Sequence, residues 1–243
     1  MQDDQKRMFE SLIVPGIFVF LMWLVKIAEV LFNFDLEGYG IMPLSWTGLP
    51  GILFAPLLHE NFSHLAANTL PFFFLGGLLF YFYRPIAWKI FWLVWLITGL
   101  WVWVFAREDA VHIGASGVVY GFAAFLFLSG IIRRDNRLMS ITLLIAFLYG
   151  GLVWGIFPQL FPHQPISWES HLMGLLAGTI LAIYYRNSGP QRKIYEWENE
   201  EDDENDIDYK GDPEEGEDKP DDQPPSGGTT YNYEYKERMK GEG

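Results

Sequence analysis

Long apolar runs separated by short polar joints dominate the chain up to about residue 186. Six of them, at about 11–32, 64–83, 86–105, 114–132, 138–157 and 169–186, are long enough to cross a hydrocarbon core. About 18 or more mostly apolar residues suffice for that in helical form. The first run begins too far in, and is too long, for a cleavable leader, so it reads as a retained helix. The second and sixth carry His with Asn or Ser and are correspondingly less apolar. The pattern predicts an all-α membrane protein, a bundle of six transmembrane helices.

The basic residues test this assignment independently. Lys6 and Arg7 precede the first run, Arg84 and Lys89 flank the second joint, and Arg133, Arg134 and Arg137 crowd the fourth. Arg186, Arg192 and Lys193 follow the last run. The intervening connections, about 33–63, 106–113 and 158–168, hold only Arg107, set against Glu108 and Asp109. Basic residues thus alternate from joint to joint, which places both termini on the cytoplasmic side and those three loops outside.

Composition changes the picture only through where the charge sits. Half the residues are hydrophobic and 17% aromatic, yet the formal net charge is −13. From Pro190 onward there are 19 acidic and 7 basic residues, which leaves 11 acidic and 10 basic ones for the body. An almost neutral apolar body therefore carries an acidic tail rich in Pro and Gly, too polar to fold and expected to be disordered. The organisation expected is a short cytoplasmic N-terminus at 1–10, a six-span domain at 11–186 and a disordered acidic cytoplasmic tail at 187–243. No basic patch points to nucleic acid, and the absence of cysteine excludes disulfides, thiolate metal sites and a cysteine nucleophile.

Polar residues at span ends need a reason, because ionisable groups in a membrane usually face a bundle interior or a wet cavity. His64 and Asn68 lie four apart at the start of the second run and share a helix face. Gly114-Ala115-Ser116-Gly117 opens the fourth run, and His171 opens the sixth, followed by Gly174 and Gly178. Spans two, four and six run in the same direction, so these groups share one depth near the outer surface. Singly, each has a plain structural explanation. A membrane serine bonds back to its own helix, glycines serve close helix packing, and a lone His is a hydrogen-bonding strut.

Together they have the logic of acyl transfer. A serine hydroxyl needs an adjacent base to take its proton, and His171 is the candidate base for Ser116. The negative oxygen that then forms needs donors already in place. His64, Asn68 and the backbone around Gly114 and Ser116 are the candidates. Glu169, two residues from His171, would point elsewhere on a helix, so the expectation is a dyad.

The motifs His59-Glu-Asn-Phe-Ser-His64-Leu-Ala-Ala-Asn68, Gly114-Ala-Ser116-Gly117-Val-Val-Tyr120-Gly and Ser170-His171-Leu-Met-Gly174-Leu-Leu-Ala-Gly178 resemble those of the rhomboid intramembrane serine proteases, in family order. The resemblance spans about 10–186. It implies a six-helix bundle with a cavity open to the outer side, Ser116 as nucleophile, His171 as base, and His64 and Asn68 at the oxyanion site. It further implies that Tyr120 packs on the His171 ring, that Gly174 and Gly178 let span six approach span four, and that His59 is structural. No metal or cofactor is implied. The partners are the lipid bilayer and transmembrane protein substrates, admitted between spans two and five. The first outer loop has Trp46 but lacks the Trp-Arg pair of many relatives. The alternatives are an inactive relative that binds membrane proteins, and a transporter, which would spread polar groups through the membrane depth. A compact six-span core without a transit peptide points to a bacterial plasma membrane.

Overall fold

The computed structural model describes residues 2–148 and 167–188. The end of the fifth apolar run (149–157), most of the connection expected to form the third outer loop (158–166) and the acidic tail lie outside the described residues. Most of the described residues are helical, and none of them forms a strand. The long helices are α1 (Gln2–Phe32), α2 (Phe62–Phe82), α3 (Ala87–Phe105), α4 (Ser116–Arg133), α5 (Asn136–Leu148) and α6 (Trp168–Tyr184). The first four are long and apolar enough to cross a membrane.

The helix starts agree with the apolar runs to within about two residues, except in α1. That helix begins nine residues earlier than its apolar run, because Asp3 and Asp4 in its first turn complement the exposed N–H groups there. Residues 2–10, expected as a short N-terminal lead, are therefore helical. Phe9, Ile13, Ile17, Phe20, Leu24, Ile27 and Leu31 recur at three- and four-residue intervals along α1 and are all exposed. Such a stripe would be anomalous in water; in a bilayer it faces lipid.

The opposite side of α1 meets α2 where Leu12 and Pro15 lie against Gly77 and Gly76. Inside the bundle, Phe18, Phe72, Phe91 and Phe122 form one aromatic cluster with ring centroids 4.8–6.3 Å apart. Edge-on and tilted pairs of this kind contribute about 0.5–1.5 kcal/mol each beyond area burial. That matters where lipid removes the usual hydrophobic drive between helices.

At the far end of α4 from Ser116, buried Arg133 lies over the Tyr83 ring at 5.3 Å and donates to the Tyr185 and Ser188 carbonyls. The ends of α2, α4 and α6 are thereby held together. At the Ser116 end, the loop 33–61 contains short helical turns at Glu37–Tyr39, Trp46–Gly48, Gly51–Phe54 and Ala55–Leu57. It is tied down by reciprocal backbone bonds between Ile41 and His112, both 2.9 Å, and by Trp103 Nε1 donating to the Ser45 carbonyl at 2.9 Å. Trp46 projects from this loop almost fully exposed, as suits a membrane-interface aromatic.

Candidate active site

Ser116 is the first residue of α4, reached through a backbone that turns sharply at Gly114, whose φ is +107°. Glycine adopts that conformation without steric penalty. The Gly114 N–H donates to the Ala55 carbonyl at 2.8 Å, which fixes the entry to α4 against the first loop. His171 lies in the first turn of α6, and its Nε2 stands 2.8 Å from Ser116 Oγ. The Tyr120 ring, one turn beyond Ser116, stacks on the imidazole with centroids 4.2 Å apart and planes 14° from parallel. Stacking leaves the imidazole edge free to address the hydroxyl.

Glycines make this approach possible. A Cβ on Gly174 would overlap the Gly117 carbonyl oxygen and stand 2.8 Å from its carbonyl carbon. One on Gly117 would lie 2.9 Å from the Ser170 carbonyl oxygen, and one on Gly178 would overlap the Gly121 carbonyl. Along this seam α4 and α6 touch backbone to backbone.

His64 and Asn68 border the same place from α2. Asn61 caps that helix, its Oδ1 accepting from the His64 N–H at 2.8 Å, a common start signal. Asn68 is buried, with Nδ2 donating to the His64 carbonyl at 3.0 Å. A Cβ on Gly114 would lie 2.8 Å from His64 Nε2 and 3.9 Å from Asn68 Nδ2. Both side chains therefore converge on the turn that leads into Ser116. His59 is buried and meets the His64 ring edge-on at 5.1 Å. Burial, and next the neighbouring His64, push its pKa down to about 3, against a smaller opposing effect from the Leu57 backbone. Among the described residues, neither ring nitrogen has a partner at full hydrogen-bond geometry.

Chemically, a neutral imidazole at 2.8 Å can take the serine proton as the hydroxyl attacks a carbonyl. An oxygen made negative by such an attack needs donors close by, and the His64 ring and Asn68 amide border the turn at Gly114. A family model described as the Rhomboid domain matches residues 46–188. The chain belongs to the rhomboid family. This rhomboid is 38% identical over 182 residues to an uncharacterized protein of Mycobacterium tuberculosis, Rv1337, covering 72% of this chain and 75% of that one. A Mycobacterium leprae protein, ML1171, also uncharacterized, is 35% identical over 187 residues, 72% and 71% of the two chains. A Bacillus subtilis protein with the name "Putative rhomboid protease YdcA" is 31% identical over 136 residues, 52% of this chain and 62% of its own. The apolar helices and the family together make the chain an integral membrane protein.

Three residues near the site have partners that a reading of sequence pattern does not supply. Lys26, inside the first apolar run, is buried and donates to the Glu60 carbonyl at 2.9 Å and to Glu29 at 3.2 Å. It ties α1 to the segment carrying His59 and Asn61. A charged residue inside a span was the available signal. His112 is buried, its Nδ1 2.6 Å from Ser167 Oγ. Arg107, which in sequence faces only Glu108 and Asp109, pairs more closely with Glu169, at 3.2 Å, than with Asp109 at 4.0 Å.

Proposed function

We propose that this rhomboid is an intramembrane serine endopeptidase that cuts transmembrane substrates near the outer side of the bilayer through a Ser116–His171 dyad. The observation that carries the reading is the 2.8 Å approach of His171 Nε2 to Ser116 Oγ, across helices whose sequences begin 52 positions apart. A substrate segment unwinds near its outer end and presents a carbonyl to Ser116 Oγ. The Oγ–C bond forms as His171 takes the hydroxyl proton, and the carbonyl oxygen becomes negative among His64, Asn68 and the Gly114–Ser116 backbone. Collapse of that intermediate breaks the C–N bond while His171 returns the proton to the leaving amine. Water, deprotonated in turn by His171, then hydrolyses the acyl-enzyme.

In this reading the chain crosses the membrane six times, with both termini cytoplasmic, in a bacterial plasma membrane. Residues 11–186 form the protease domain, and the acidic tail is a solvated extension. The test is cleavage of a single-span substrate by purified protein in liposomes, with Ser116→Ala and His171→Ala alongside. Cleavage by the unaltered chain that both substitutions abolish supports the dyad. Full activity in Ser116→Ala refutes it.

A further inference from the structure

Ser167 immediately precedes α6 and is a residue type that ordinarily caps its own helix by accepting from an N–H in the first turn. Here it makes no such bond. Its hydroxyl instead lies 2.6 Å from His112 Nδ1 and 2.6 Å from Ser170 Oγ. His112 Nε2 faces the Arg107 carbonyl at 3.5 Å. His112 is 2% exposed and sits on the loop that ends at Ser116. Two residues further along α6, Glu169 is 4% exposed and meets Arg107 Nε at 3.2 Å. The start of α6 is thus gripped at two points by one loop, immediately before His171.

That loop is itself anchored. His112 exchanges both backbone bonds with Ile41, and Gly114 donates to Ala55. Burial first of all lowers the His112 pKa, which favours the neutral ring. A neutral ring with Nε2–H directed at the Arg107 carbonyl leaves Nδ1 to accept from the Ser167 hydroxyl. Ser167 Oγ then accepts from Ser170. Ser170 donates to Ser167, Ser167 donates to His112, and the direction runs from α6 into the loop.

Resting on the protease reading above, we propose that His112 and Arg107, through Ser167, Ser170 and Glu169, are positioning residues that set where α6 begins and so hold His171 against Ser116. The nucleophile and the base sit on separate helices. The loop that delivers Ser116 also grips the turn that delivers His171, so a single rigid piece fixes their separation. Loss of either grip lets the first turn of α6 drift while the glycine seam further along stays packed. In this role both residues act through α6 and not on the substrate, so their loss is expected in kcat and not in KM.

The experiment uses the full chain in liposomes, with His112→Ala, His112→Asn and Arg107→Gln. Asparagine keeps a hydrogen-bonding atom near the position of Nδ1. Readouts are kcat and KM on a single-span substrate, the labelling rate of Ser116 by a fluorophosphonate, and amide hydrogen exchange resolved by helix. Misplacement by about 1 Å can lower a rate on the order of 10²-fold, so a part-ångström drift is expected to lower kcat and labelling by about tenfold in His112→Ala. KM should stay within about twofold, and amides at 168–172 should exchange faster while α2, α3 and α4 do not. His112→Asn should recover most of the rate, and Arg107→Gln should show the same signature more weakly. Unaltered kcat in both His112→Ala and Arg107→Gln overturns the proposal. So does a His112→Ala loss that spreads over all helices while His112→Asn and Arg107→Gln behave as the unaltered chain. If the unaltered chain neither cleaves nor labels, it is the protease reading that has failed. Exchange at 168–172 then decides the clamp alone: faster exchange upholds it, unchanged exchange removes it.

Discussion

Replacing Gly174 by alanine tests the link between helix packing and chemistry with a single added methyl. The new Cβ would overlap the Gly117 carbonyl oxygen and stand 2.8 Å from the carbonyl carbon and 3.2 Å from Cα. Unlike a side-chain tip, a helix backbone cannot swing aside, so the helices themselves must separate. Carbon contacts relax at about 3.5–4.0 Å, so clearing the carbonyl carbon alone requires α6 to retreat by roughly 1 Å at this level, and clearing the oxygen requires more. Gly174 lies one turn below His171, so most of that retreat is passed to Nε2. The 2.8 Å Ser116–His171 separation then passes the limit of about 3.2 Å at which a hydrogen bond of this kind retains its strength. A displacement of that size lowers kcat on the order of 10²-fold, while overpacking destabilises the bundle by about 1–3 kcal/mol. The assay is cleavage and fluorophosphonate labelling in liposomes, with thermal unfolding in detergent to confirm that the variant is folded. Gly16→Ala is the matched control, because its Cβ would meet only Phe73, at an ordinary 3.6 Å. If folded Gly174→Ala keeps the full labelling rate, the close seam does not set the dyad distance and the reasoning is wrong.

Other outcomes follow from the same geometry. Asn68→Ala should lower kcat on the order of 10²–10³-fold with little change in KM, the usual loss for one oxyanion donor; an unchanged kcat removes Asn68 from that role. Gly114→Ala combines a left-handed φ with a Cβ 2.8 Å from the His64 ring, so it should reduce activity more than Asn68→Ala does, measured side by side. Lys26→Met removes two bonds from a buried ammonium, and chemical unfolding should show a loss of about 1.5–3 kcal/mol. His59 is held near pKa 3 in the folded chain against 6.5 ordinarily, so below pH 6.5 the unfolded chain takes a proton that the folded chain refuses. The stability this contributes is full above pH 6.5 and falls by about 1.4 kcal/mol per pH unit as pH drops towards 3. Unfolding midpoints should approach that slope between about pH 4.5 and 5.5, and His59→Leu should make it shallower.

The helices and the motif residues were legible because lipid imposes a simple rule: long apolar runs must be helical, and polar residues within them stand out. His64, Asn68, Ser116 and His171 could be aligned in depth from topology alone, and they do converge. What pattern could not supply was contact between distant segments. Nothing local to Ser167 says that its hydroxyl will meet His112, 55 positions earlier, in place of an N–H of its own helix. Lys26 is visible as a charge in a span, but its partner is a backbone carbonyl, which has no signature in sequence. The early start of α1 was hidden for a different reason. Asp3, Asp4, Lys6 and Arg7 carry no hydropathy signal, yet a charged segment continues a helix readily once an apolar one has nucleated it. The end of the fifth run and the acidic tail lie outside the described residues.

The partner of Ser116 is supplied by the last long helix of the described chain, 55 residues downstream. During synthesis, at roughly 5–20 residues per second, every earlier helix can enter the membrane before His171 reaches Ser116. On the protease reading, a growing chain is harmless to its neighbours and to itself, and competence arrives only as α6 slides in along α4 and closes the glycine seam. On the same reading, a chain truncated before His171 would be inert, and incomplete translation would yield no stray proteolysis.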